Sequence, residues 1–212
     1  MRRSLVLLSG LAIAGLLSAS AVGHQSARLK HVTIFGDSSA AALSWDAEAL
    51  SKITRGNRVT LELQGCGRLA TPGCFNPPPP SVLSEVRTLG RRIGPTAIVL
   101  VGYNDDPHVY ADGIDSVLRA MRNHGVKQVL WLTLRTQAHP GQYRGTNTVI
   151  RGASHRWPLM TVVNWAGYSG PHPEWFTDGI HFTGAGAVQF GIYLHRTLRK
   201  YGLTGPVGSG GG

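Results

Sequence analysis

The sequence predicts an α/β domain, a three-layer α/β/α sandwich built on a five-stranded parallel sheet. Two observations carry the expectation. Five short runs rich in β-branched and apolar residues alternate with longer helix-like segments, as in an open parallel sheet between helices. Several of the runs are continuously apolar rather than alternating, as strands buried on both faces require. Residues 24–203 suit one such domain, within the usual range of roughly 50–250 residues.

Taken in order, "HVTIFG" (31–36), "RVTLELQ" (58–64), "TAIVLVG" (96–102), "VKQVLWLTL" (126–134) and "LMTVVNW" (159–165) read as the strands. Residues 38–54, 81–92, 110–124 and 143–156 read as helices between them. A last helix starts after Thr183 and runs to about Lys200, with Ala187, Phe190, Gly191, Leu194 and Leu198 on one face. Pro77 to Pro80 read as a stiff extended spacer before the second helix. There is no internal repeat.

The two ends read differently from the middle. Arg2 and Arg3, an apolar stretch from Leu5 to Leu17 and the small residues Ala19-Ser20-Ala21 have the layout of a secretory signal peptide over residues 1–23. An uncleaved membrane anchor is the alternative, and the apolar core falls short of the ~18 residues a span needs. Residues 204–212, ending in "GPVGSGGG", are expected to form a flexible tail. A secreted, extracytoplasmic protein is therefore expected.

The chain carries 21 Lys and Arg against 11 Asp and Glu. The basic residues are scattered, among them Arg55, Arg58, Arg91, Arg92, Arg119, Arg151, Arg196 and Arg199, with no long basic run. A dispersed positive field favours anionic surfaces, which for an exported protein suggests an acidic polymer or the cell envelope; solubility alone explains it equally well. No basic cluster is interleaved with aromatics, which argues against a nucleic-acid module. Cys66 and Cys74, in "QGCGRLATPGCF", are expected to form a disulfide in an oxidising compartment. Two cysteines are too few for a structural zinc site, and nothing in the sequence calls for a metal or cofactor.

Ser38 in "FGDSSA" closes the first strand, at the carboxyl end where ligands bind in such sheets. It can start a helix, or attack a substrate if a base takes its proton and a third group holds that base. Among nine histidines, His181 in "FTDGIHFTGAG" has an acidic residue, Asp178, three positions earlier. That carboxylate can fix one imidazole nitrogen and leave the other free, or merely hold a turn. Donors for a developing oxyanion are available at the Ser38 N–H, the Asn104 amide of "VGYNDD", and the N–H of Gly65 or Gly67 past the second strand. Each also has a structural reading, Asn104 as a turn residue and the glycines as a tight loop.

Gly36-Asp37-Ser38, a glycine after strand two, Gly102-Tyr103-Asn104-Asp105 and Asp178-Gly179-Ile180-His181 occur in that order. Together they resemble the SGNH hydrolases, or GDSL-type esterases, over roughly residues 31–200. The sequence departs at Ser39, where many members have leucine, and the second block is loose because either Gly65 or Gly67 fits. The resemblance implies a flavodoxin-like fold and a serine esterase without cofactor. In it Ser38 is the nucleophile, His181 the base and then the acid, Asp178 the orienter, and Ser38, Asn104 and one glycine the oxyanion donors. A Cys66–Cys74 bridge would brace the oxyanion loop.

The chain is most similar in look to secreted bacterial SGNH domains of the envelope acyltransferase and esterase type. A short acyl group on a carbohydrate, in a small-molecule or polysaccharide ester, is the preferred substrate, with lipid esters and thioesters left open and a monomeric protein expected. The alternatives are an O-acyltransferase with the same site and a non-catalytic envelope or carbohydrate-binding protein. Tyr103, Arg135 and Trp175 are candidate substrate contacts: Arg135 lies just past strand four, and Trp175 belongs to an aromatic stretch with Trp165, Tyr168 and Phe176. Arg135 could equally pair with an acid, and the aromatics could pack their loop down.

Overall fold

The computed structural model describes residues 29–206. The expected signal segment and residues 207–212 of the expected tail lie outside the described residues. Five strands, β1 (Lys30–Gly36), β2 (Asn57–Leu63), β3 (Thr96–Leu100), β4 (Gln128–Leu132) and β5 (Met160–Val163), form one sheet. Every pairing is parallel and the order is β2-β1-β3-β4-β5. The order reverses direction between β1 and β3, the switch point where such sheets leave a crevice beyond their carboxyl ends. The three inner strands are largely apolar because they are covered on both faces, with Val32, Ile34, Ala97, Ile98, Val99, Val129, Leu130 and Trp131 fully buried, whereas the edge strands β2 and β5 are half-buried.

The helices are α1 (Ala42–Trp45), α2 (Ala47–Thr54), α3 (Val82–Leu89), α4 (Tyr110–Asn123), α5 (Pro140–Ser154), α6 (Trp165–Ser169) and α7 (Gly184–Lys200). Helices α2 and α7 pack together in one layer, and α3, α4 and α5 pack in series in the other. The apolar face expected of the last helix is present, with Ala187, Phe190, Leu194 and Leu198 fully buried.

Three differences have local causes. The helix expected over residues 38–54 is broken into a 3-10 turn (Ser38–Ala40), α1 and α2. Asp46 sits in extended backbone between α1 and α2, its side chain accepting from Ala49 N–H, so it caps a new helix rather than continuing the old one. Helix α5 begins at Pro140, earlier than expected, because proline is pre-set for the first helical turn. Thr204 and Gly205 are not a free tail: Gly205 N–H donates to Gly56 O at 2.9 Å and the Thr204 hydroxyl to Arg55 O at 3.2 Å.

Among the described residues, no helix is long and apolar enough to cross a membrane.

Candidate active site

Two of the loops that leave the carboxyl ends of the strands, those after β1 and β3, are tied together by one buried carboxylate. Asp37, directly after β1, is fully buried. Its Oδ1 accepts from Ser39 N–H at 2.9 Å and from the Ser39 hydroxyl at 2.6 Å. Its Oδ2 accepts from Gly102 and Tyr103 N–H, both at 3.2 Å, past β3. Burial raises the Asp37 pKa, and these donors oppose the rise. Gly102 can present its N–H because it holds φ 143°, where a Cβ would come within 2.9 Å of the Tyr110 hydroxyl. Ser39 is therefore part of this lock, in the position where leucine is common in the family the sequence resembles.

With Asp37 capping the 3-10 turn, Ser38 projects from the first residue of that turn. Its Oγ lies 2.9 Å from His181 Nε2. The other ring nitrogen, Nδ1, lies 2.6 Å from Asp178 Oδ2. The charged carboxylate accepts the Nδ1 proton, so Nε2 carries the lone pair that receives the Ser38 hydroxyl hydrogen. Asp178 is itself held, its Oδ1 accepting from Ile180 N–H at 2.9 Å and His181 N–H at 2.8 Å. Partial burial pulls its pKa up, but the bonds from the His181 ring and from these two amides prevail and hold it at about 2. It is therefore a carboxylate at any ordinary pH.

The turn that presents this pair is closed by an antiparallel bridge between Phe176 and Phe182. Thr177 N–H donates to His181 O at 2.8 Å across its neck. Behind it, Trp165 is ringed by Trp175, Phe176, Phe182, Phe190 and Tyr193 at centroid separations of 4.9–6.5 Å. The turn thus rests on an aromatic floor.

On the opposite side, Gln64-Gly65-Cys66-Gly67 makes a tight turn in which Gly67 N–H donates to Gln64 O at 2.9 Å. That bond occupies the Gly67 donor. Among the described residues, the N–H groups of Gly65 and Ser38 have no protein acceptor. Of the two glycines weighed from sequence, Gly65 is the one with a donor to spare. Cys66 holds the turn with φ 56°, unusual for a side-chain-bearing residue, and is bonded to Cys74. Asn104 Nδ2 donates to Gly67 O at 3.2 Å, which leaves one amide hydrogen uncommitted. Arg68 Nε donates to Asn104 O at 2.9 Å, and Asp105 accepts from Leu69 N–H at 3.0 and 3.2 Å. The β2 and β3 loops are thereby fixed to one another.

The three candidate substrate contacts have other surroundings. Tyr103 is buried, its hydroxyl accepting from Arg135 N–H at 2.7 Å. Arg135 is only 2% exposed. Its Nη1 donates to Gly179 O at 2.8 Å, and its guanidinium lies 4.2 Å above the Phe176 ring. Among the described residues it forms no ion pair; it ties down the turn that bears Asp178, and it also lines a shallow recess of about 490 Å3 beside Asp178. Trp175 is buried, its ring stacked on His172 at 3.8 Å.

Sequence reasoning passed over Phe75, which is 61% exposed next to the disulfide with its ring against Gly65. Its only sequence signal was an isolated aromatic in a Pro-rich loop. Glu85 was missed too: on α3 it accepts from Gln64 Nε2 at 2.7 Å and so steadies the turn that carries Gly65.

Among the described residues, no group of three or more His, Cys, Asp or Glu converges as metal ligands would. No protein-family model matches the sequence, and no curated protein matches it. Among solved structures the chain is similar to TesA, with a TM-score of 0.63 and 19% identity over 81% of this chain and 99% of that one. It is also similar to the psychrotrophic esterase EstA from Pseudoalteromonas sp., with a TM-score of 0.59 and 10% identity over 81% and 98%. At such identities the likeness is one of fold.

Proposed function

We propose that this chain, which has the SGNH-hydrolase fold, is a serine carboxylic-ester hydrolase. The observation that carries the proposal is the continuous relay from Ser38 Oγ through the His181 ring to Asp178, at 2.9 and 2.6 Å, poised at the sheet's switch point. Both structures named above have the same fold, and one of them is the esterase EstA.

In the proposed reaction Ser38 Oγ attacks the ester carbonyl as His181 Nε2 takes its proton. The N–H of Ser38, the N–H of Gly65 and the free amide hydrogen of Asn104 stabilise the tetrahedral oxyanion; one such donor is worth about 3–4 kcal/mol. His181 then protonates the leaving alcohol, and an acyl-Ser38 intermediate remains. Water, deprotonated by His181, releases the acid and restores the serine. Asp178 keeps the imidazole in the required tautomer and stabilises its cation without taking the proton.

We assign a short acyl group on a carbohydrate as the preferred substrate. Two features support this: residues 29–206 contain no long apolar segment suited to a lid, and the exposed Phe75 ring beside Gly65 offers a flat face to a sugar. Secretion is supported by the layout of residues 1–23 and by the disulfide. Hydrolysis of p-nitrophenyl acetate, butyrate and octanoate tests the proposal, with Ser38→Ala beside the wild type. Turnover falling with chain length and lost in Ser38→Ala is the expected result. No turnover of any ester by folded wild type defeats it.

The exposure of the pair, with His181 and Asp178 side chains 47% and 53% accessible, favours one second reading. An alcohol could approach the acyl-enzyme as readily as water, making the protein an O-acyltransferase. Product analysis with a sugar acceptor present separates the two.

A further inference from the structure

The two ends of the strand axis differ in charge, although Arg68 and Arg135 lie at the carboxyl end and Asp115 lines a recess beside Arg122 and Lys127 at the other. The loops at the carboxyl ends of the strands carry Asp37, Asp105, Asp106, Glu174 and Asp178. The opposite end, where the strands begin, is basic. A groove of about 890 Å3 there is lined by Lys30, His31, Arg58, Arg91, Arg92 and Lys127, with no carboxylate among its lining residues. The topology produces this clustering. Lys30 and Arg58 open β1 and β2, Arg91 and Arg92 occupy the turn before β3, and Lys127 immediately precedes β4. Residues scattered in sequence are thus brought to one sheet end. A neighbouring recess continues the surface past Arg122 and His124, again without a carboxylate in its lining.

Two further features mark this end. Apolar side chains stand exposed among the cations, Leu29 at 56% and Tyr201 at 38%, with Lys200 Nζ 5.4 Å from the Tyr201 ring centroid. Both ends of the described chain also meet here: Leu29 and Leu203 line the groove, and Lys30 Nζ donates to Gly202 O. The apolar run from Leu5 to Leu17 ends twelve residues before Leu29. Extended chain of that length reaches at most ~40 Å.

From this we infer that the amino-end face of the sheet docks on an anionic phospholipid surface. Cations interspersed with exposed leucine and tyrosine match a headgroup layer over acyl chains, whereas a soluble polyanion gives the apolar groups nothing to enter. The described chain also begins at this face, with Leu29 in the lining of the groove. Docked this way, the domain turns Ser38 away from the lipid. The inference is independent of the reaction at Ser38.

The test is co-sedimentation of the full chain with phosphatidylcholine vesicles, with and without phosphatidylglycerol, at low and high salt. The variant is Arg58→Gln, Arg91→Gln, Lys127→Gln, with its fold checked by thermal melting. Each basic side chain near an anionic leaflet multiplies partitioning roughly fivefold. The triple variant is therefore expected to lose on the order of a hundredfold in binding to the anionic vesicles and nothing on neutral ones. Wild-type binding to the anionic vesicles should also fall with salt. Equal partitioning of the wild type onto both vesicles, or a correctly melting triple variant that binds like wild type, overturns the inference. So does a wild type that binds a soluble acidic polysaccharide through these residues and leaves anionic vesicles unbound.

Discussion

Replacing Arg135 by methionine keeps most of the side-chain volume and removes the guanidinium. Arg135 fastens the Asp178 turn through Gly179 O, a role that does not depend on substrate charge. The bond from Nη1 to Gly179 O at 2.8 Å is charge-assisted and part-buried, worth about 1.5–3 kcal/mol. The cation over Phe176 at 4.2 Å adds up to about 2 kcal/mol when desolvated. These contributions overlap, and about 3 kcal/mol in total is a fair expectation. For a domain of this size each kcal/mol moves the melting temperature by about 2–4 °C, so Arg135→Met should lower it by about 6–12 °C. Because Gly179 follows Asp178 directly, the loosened turn should also lower kcat/KM, and by the same factor for every ester. Thermal unfolding is measured alongside kcat/KM for p-nitrophenyl acetate and for the anionic p-nitrophenyl hemisuccinate. An unchanged melting temperature, with activity lost only on the anionic ester, would refute the reasoning and return Arg135 to the substrate.

Three other perturbations bear on the loops and the packing. Burial, reinforced by the charge of Glu62 and only partly opposed by the Gln64 bond, pushes the Glu85 pKa to about 7. The native state therefore binds more protons than the unfolded chain between about pH 4.5 and 7. This contribution to stability is complete at the acid end of that window and is lost as pH rises through about 7. Glu85→Gln should flatten the decline, which urea unfolding at pH 5 and pH 8 measures. Gly191→Ala should cost about 3 kcal/mol in the same assay, because the new methyl would lie 2.4 Å from Ala49 O where α7 crosses α2, and neither backbone can yield cheaply. Joint replacement of Cys66 and Cys74 by serine should cost about 2–3 kcal/mol through the released loop. It should also lower kcat more than it raises KM, since it frees the turn carrying the Gly65 N–H.

The sheet was legible because buried parallel strands leave continuous apolar runs, and all five lie within a few residues of their expected limits. The break at Asp46 was not, since apolar periodicity runs through residues 38–54 and the capping side chain is visible only once its acceptor role is known. The short helix α6 was hidden because Trp165 and Ala166 extend the apolar pattern of β5. Ser38, Asp178, His181 and Asn104 could be named because the short blocks that carry them, residues 36–38, 102–105 and 178–181, occur together in the order of the family the sequence resembles. Their contacts, and the choice of Gly65 over Gly67 as the spare donor, depend on which N–H a turn leaves unused. Arg135 and Tyr103 looked like rim residues because they follow strands. Burial, which strand ends do not reveal, gives them structural work instead.

Intact-protein mass spectrometry after incubation with a p-nitrophenyl alkylphosphonate tests the central claim most directly. An activated Ser38 displaces p-nitrophenolate and keeps the phosphonyl group. The account predicts one adduct per chain on the peptide containing Ser38, with labelling slowed at least a hundredfold in His181→Ala and absent in Ser38→Ala. A folded wild-type protein left unmodified, or an adduct on another residue that survives Ser38→Ala, would contradict it.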